Sequence, residues 1–131
     1  SPWIWQVERG ADVIFLTLFE ATEKVDAGNY YLKDKVKLIG NELIGDIRRK
    51  FAVKIISMIE RYLHLYPMKP ISQKGKPTYN RRRTPQDNNL DIKNNIFRQF
   101  NKMRVADNER FPLYFIYRDT KYIIKIYSHK K

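Results

Sequence analysis

Two short stretches carry the residue types that could do chemistry. The first is Val25-Asp26-Ala27-Gly28-Asn29. Its carboxylate lies seven residues past the end of an apolar run, Val13 to Phe19, that reads as a strand. Open α/β sheets place their ligands just outside the carboxyl ends of such strands. The alternative is a plain turn, with Asp26 capping its own backbone and Gly28 supplying a positive φ. The second stretch is Lys74-Gly75-Lys76-Pro77-Thr78-Tyr79-Asn80-Arg81-Arg82-Arg83-Thr84-Pro85. Three arginines beside a tyrosine can fork onto phosphate oxygens while the ring stacks on a base or sugar. A solvated basic loop would have the same composition. A glycine loop that cradles phosphate is excluded, because Gly75 stands alone there.

Other chemistries are excluded by what the chain lacks. It has no cysteine, hence no disulfide framework, zinc-thiolate site or thiol nucleophile. Its two histidines, His64 and His129, lie far apart and beside no candidate nucleophile, which argues against a metal cage. No apolar run approaches the roughly 20 residues of a membrane span. Lys plus Arg number 26 and Asp plus Glu 14, giving a net charge of +12. Residues 1–66 hold 10 basic and 9 acidic groups, and residues 67–131 hold 16 and 5, so +11 of the excess falls in the second part. Such a segment attracts anions: nucleic acid, nucleotide diphosphates or an acidic surface.

The elements that must position these residues follow from periodicity. Pro2-Trp3-Ile4-Trp5-Gln6-Val7 is aromatic and apolar, and Glu8-Arg9-Gly10-Ala11-Asp12 reads as a turn. The seven-residue run VIFLTLF suits a strand buried on both faces of a layered, parallel sheet. Leu32, Asp34, Val36 and Leu38 alternate with Lys33, Lys35 and Lys37, the pattern of a half-exposed edge strand. Gly40-Asn41 offers a stop and an N-cap, with Glu42 and Asp46 in the first turns of a helix. Ile44, Ile47, Phe51, Ile55, Met58 and Tyr62 form its apolar stripe, and Pro67 ends it. A Pro-, Lys- and Arg-rich connection follows to Asp91. Ile96, Phe100 and Met103 then mark a short helix capped by Asn94 or Asn95, and 113–117 with 122–127 form a hairpin. The expected organisation is an α/β core portion (1–66), a basic linker (67–91) and a small α+β tail (92–131). The doubly covered strand lacks partners, so the front portion reads as the edge of a sheet whose first strands lie elsewhere.

These residues, taken in order, resemble the folate-dependent formyltransferases. The matching pieces are Ser1-Pro2-Trp3-Ile4-Trp5, Glu8-Arg9-Gly10, Leu16-Thr17-Leu18 and Val25-Asp26-Ala27-Gly28-Asn29-Tyr30. Tyr79 through Asp87 with Leu90-Asp91 is similar to the Arg-Arg-Thr-Pro stretch of the members that act on nucleotide-linked amino sugars. Met103-Arg104-Val105-Ala106 and Phe111-Pro112-Leu113-Tyr114-Phe115 match later motifs. The resemblance departs at Phe15 and Phe19, where the family has glycine and histidine, and at Asn29, often an aspartate.

The resemblance implies a fold and a reaction. The chain would be the C-terminal edge of a Rossmann-like formyltransferase sheet, followed by the small tail. The donor would be 10-formyltetrahydrofolate, with Val25, Asp26 and Gly28 near it. The acceptor would be the amine of a nucleotide-linked amino sugar, contacted by Tyr79, Arg81, Arg82 and Arg83. Asp26 would be the catalytic aspartate, supporting a histidine that handles the amine proton while an asparagine stabilises the oxyanion. That Asn and His match no position here. The expectation is therefore a chain inactive alone, whose partner is a preceding catalytic segment, residing in the cytoplasm and pairing into a homodimer through its tail. Methionyl-tRNA as acceptor, or a non-catalytic nucleic-acid-binding module, are the alternatives. The short tail after Asp91 argues against the tRNA-gripping barrel of the methionyl-tRNA enzymes.

Overall fold

A computed structural model describes residues 2–23, 27–75 and 78–129. Its elements run α1 (Pro2–Glu8), β1 (Val13–Phe19), β2 (Tyr30–Lys37), α2 (Ile44–Leu65), a 3-10 turn (Pro85–Asn88), α3 (Ile96–Arg104), β3 (Leu113–Tyr117) and β4 (Thr120–Ile124). The chain forms two compact units. One gathers residues 1–12, 38–47 and 80–131, the other residues 13–37 and 48–79. Each thus draws on segments distant in sequence, whereas the sequence reading divides the chain consecutively at Tyr66 and Asp91.

In the 13–37/48–79 unit, β1 and β2 pair antiparallel, with Val13 opposite Lys37 and Leu16 opposite Asp34. The lysine face falls where alternation puts it: Lys33, Lys35 and Lys37 are exposed and Val36 is buried. β1 differs from expectation. It is sided rather than doubly covered, with Ile14 buried and Phe15 70% exposed. A continuous apolar run cannot report which face is covered; only its partner strand can, and here the partner is the antiparallel lysine strand. The described pairings of the two sheets are antiparallel, a mixed α/β arrangement with two small sheets. Phe51 and Met58 of α2 are buried in this unit, each stabilising by about 1.5–3 kcal/mol. Lys50 Nζ donates to Lys37 O (3.2 Å), and Lys54 and Arg61 both reach Asp34 at 3.4 Å, tying the polar flank of the helix to β2.

The other unit is built on Val7, Leu38, Ile47, Val105, Ala106, Leu113 and Tyr114. α1 was not legible as a helix; it opens with Pro2 in its first turn, a position where a missing N–H costs nothing, and packs on α3. Gly10 (φ +90°) turns the chain out of it. α2 starts at Ile44, so Glu42 is not in its first turn as expected; Asp46 is. Glu42 is instead buried in the preceding loop. Asn95 caps α3, accepting from Arg98 N at 2.9 Å. β3 and β4 form the expected hairpin with a tighter loop, two residues long, in which Arg118 and Asp119 both have positive φ (45° and 60°). That geometry matches strand twist, and an aspartate tolerates it better than a branched residue.

Candidate functional site

The arginine triplet lies in the 1–12/38–47/80–131 unit, and its members part ways there. Trp5 of α1 is the platform. Its indole N–H donates to Arg81 O at 2.9 Å, and the guanidiniums of Arg81 and Arg83 stand 4.7 and 4.8 Å from the ring centroid. Both are held in place by carboxylates. Arg81 makes a two-pronged pair with Asp87, Nη1 to Oδ2 at 2.9 Å and Nη2 to Oδ1. Arg83 pairs with Glu8 of α1, and its Nη2 donates to Asn88 Oδ1 at 2.8 Å. Asn88 is buried and donates in turn to Phe111 O at 2.6 Å. Asp87 also accepts from Thr84 N at 2.7 Å, closing the 3-10 turn that Pro85 begins.

The electrostatics follow from this bonding. The Arg81 hydrogen bond, then the Thr84 amide and the two arginine charges, hold the Asp87 carboxyl down at about 2 against the opposing effect of burial. The same bond to Asp87 raises the Arg81 guanidinium. Arg81 and Arg83, two residues apart, face the same indole, and Arg82 between them does not. Among the described residues the Arg82 side chain is exposed and makes no hydrogen bond or ion pair. Sequence reasoning treated the three as equals because their partners Trp5 and Glu8 stand some 75 residues away.

A second set of candidates lies in the other unit. Val25 and Asp26 fall outside the described residues. Gly28 is described, and its carbonyl accepts from Gln73 Nε2 at 2.6 Å. Gly28 does not take the positive φ expected of it; a Cβ there would stand 1.9 Å from Glu20 O, so the residue is glycine because two stretches of chain pass too close for a side chain. Gln73 was not singled out from sequence; no local pattern marks a side chain that bonds 45 residues back. Tyr79 is 92% exposed. His64 and His129 are exposed, and among the described residues no cluster of His, Asp or Glu could hold a metal ion.

Arg104, from the later resembling motif, is buried and structural. Its Nε donates to Glu42 O at 2.9 Å and its Nη2 to Glu42 Oε2 at 2.7 Å. The Glu42 carboxylate also accepts the amides of Ile39 (2.9 Å) and Gly40 (3.0 Å).

Comparison with known proteins decides the relationship. Methionyl-tRNA formyltransferase of Thermosipho melanesiensis is 28% identical over 101 residues, 77% of this chain. The chain is related to the formyltransferases. The fold agrees: methionyl-tRNA formyltransferase from Clostridium thermocellum superposes with a TM-score of 0.81 at 18% identity, over 99% of this chain. A Mycobacterium tuberculosis protein assigned as a sugar N-formyltransferase gives 0.74 at 13%, also over 99%. HypX from Aquifex aeolicus gives 0.68 at 15% over 90%. The chain spans 33% of the length of the Thermosipho relative, and 57% and 59% of the first two structures. No family model matches. Among the described residues no helix is long and apolar enough to cross a membrane.

Proposed function

We propose that this chain is the acceptor-side portion of an N-formyltransferase that moves a formyl group to the primary amine of a nucleotide-linked amino sugar. In this reading the 13–37 strands belong to the edge of a Rossmann-like sheet, and the Asn and His of the reaction come from polypeptide outside these 131 residues. The amine nitrogen attacks the formyl carbon and the bond from that carbon to the donor nitrogen breaks; the histidine takes the proton that the amine loses and the departing donor nitrogen gains one, so the donor leaves as a neutral amine. Asp26 holds the imidazole and supports its positive form. Arg82 is the anion contact of the triplet, since Arg81 and Arg83 are committed to Asp87 and Glu8. The donor, 10-formyltetrahydrofolate, supplies an activated formyl group. Of the residues assigned near it, Gly28 is described, and its carbonyl accepts from Gln73 Nε2.

The observation that carries the reading is the Arg-Arg-Thr-Pro-Gln-Asp segment folded into the Trp5 clasp, within a chain related to formyltransferases. One observation favours a second acceptor: the Thermosipho melanesiensis relative and the Clostridium thermocellum structure are both methionyl-tRNA formyltransferases. Both acceptors are cytoplasmic substrates, and pairing of two copies is compatible with either. The test joins this chain to the segment supplying Asn and His and measures formyl transfer to nucleotide-linked amino sugars and to methionyl-tRNA in parallel. Turnover of the sugar alone supports the proposal. Turnover of the tRNA alone replaces the acceptor, and turnover of neither removes the enzymatic reading.

A further inference from the structure

α2 carries apolar side chains on two sides, and only one of them is covered. Phe51 and Met58 face inward and are buried. Lys54 and Arg61, on a flank of the helix, hold the Asp34 carboxylate of β2. A second stripe runs along Ala52, Ile56, Ile59 and Leu63, spaced four, three and four apart. At 3.6 residues per turn it lies roughly 120° around the axis from Phe51 and Met58. It is open: Ile56 is 56% exposed, Ile59 44% and Leu63 67%, with Val53 beside them at 65%. All of these residues belong to one compact unit. Single exposed aliphatic residues are ordinary, but a continuous row of them over three turns marks a contact surface. Propensity does not explain the row, because isoleucine is a poorer helix former than the glutamate or lysine a solvated face would take. A helix apolar on two sides is the middle of a layered structure, with its sheet on one side and another element on the other.

We propose that the Ala52–Leu63 stripe is the docking surface for the segment that supplies Asn and His, so that α2 is the layer through which that segment and this chain make one core. That segment is the one called for by the formyl-transfer reading, on which the choice of occupant rests. Two observations select it. The chain superposes over 99% of its length on the Clostridium thermocellum structure yet accounts for 57% of that structure, so there this fold is continuous with further polypeptide. A second copy fits less well, because each chain carries +12 and self-association brings those charges together. A segment in the same polypeptide also docks intramolecularly, at an effective concentration of about millimolar for a short flexible linker.

Thiol labelling tests the surface without relying on activity, since these 131 residues include no cysteine. Ala52→Cys and Leu63→Cys each place a thiol at one end of the stripe, and Ser57→Cys places one away from it; all three replace exposed residues. Rates are read peptide by peptide by mass spectrometry. In the chain joined to the segment supplying Asn and His, the thiols at 52 and 63 should react at least about tenfold more slowly than the thiol at 57. In the 131-residue chain the three should react within about threefold of one another. Fast labelling at 52 and 63 in the joined chain overturns the surface. Slow labelling there in the 131-residue chain, deepening with concentration and accompanied by a doubled mass in light scattering, overturns it in favour of a second copy. Formyl transfer by the joined chain keeps the two failures apart. Protected thiols without turnover leave the surface standing and remove the reaction, and turnover with fast labelling at both positions does the reverse.

Discussion

Replacing Arg104 by leucine removes the cation from a site where neither partner sees water: the two side chains are 2% and 6% exposed. The guanidinium gives Glu42 a charge-assisted bond at 2.7 Å and a second to its carbonyl at 2.9 Å. What remains after the substitution is a buried carboxylate that keeps the Ile39 and Gly40 amides but has lost the guanidinium. Breaking a buried pair in this way costs about 3–5 kcal/mol, against a total stability of about 5–15 kcal/mol for a domain. Each kcal/mol shifts Tm by roughly 3–5 °C at this size, so Arg104→Leu should melt about 9–25 °C lower. Glu42→Leu should do at least as much harm, since it strands the cation and both amides. The double variant removes both charges of the pair but leaves the two part-buried amides without their acceptor, and should lose roughly 2–4 kcal/mol, well under the sum of the singles. Urea unfolding of the four proteins gives the cycle. A loss below about 1 kcal/mol for Arg104→Leu, or additive singles, would refute the buried-pair reasoning.

Two further expectations concern the arginine triplet. Arg83→Ala should destabilise by roughly 1.5–3 kcal/mol through loss of Glu8 and Asn88, while Arg82→Ala should change stability by less than about 0.5 kcal/mol yet weaken binding of a nucleoside diphosphate, both read by melting and titration calorimetry. Equal stability losses would contradict the division of labour. Asp87 contributes stability that is complete above its unfolded pKa near 4 and is lost as pH falls through about 2. Because Arg81 is 59% exposed, that contribution is about 1 kcal/mol, and it should appear as a gap between the protein and Asp87→Asn that closes between pH 4 and pH 2.

What could be read from sequence was local. The lysine alternation of β2, the stripe of α2 apart from the exposed Ile55, the Asn95 cap and the terminal hairpin each carry their signal within one element. α1 escaped because seven residues of mixed aromatic and branched character show no helical period. The sidedness of β1 escaped because VIFLTLF is apolar throughout, so only the register against Lys33, Lys35 and Lys37 exposes Phe15. In the candidate sites the residue types were legible and the partners were not. Nothing near Arg81 or Arg83 in sequence names Trp5 or Glu8, and nothing near Gly28 names Gln73. Glu42 was misplaced for the same reason: an acid ahead of a helix reads as a dipole partner until Arg104, 62 residues on, claims it.

The most direct test of the central claim is formyl transfer by the chain joined to the Asn- and His-bearing segment, assayed with 10-formyltetrahydrofolate and a nucleotide-linked amino sugar. The expected result is turnover that Asp26→Ala reduces by orders of magnitude. Turnover untouched by that substitution, or none with any amine acceptor, would contradict it.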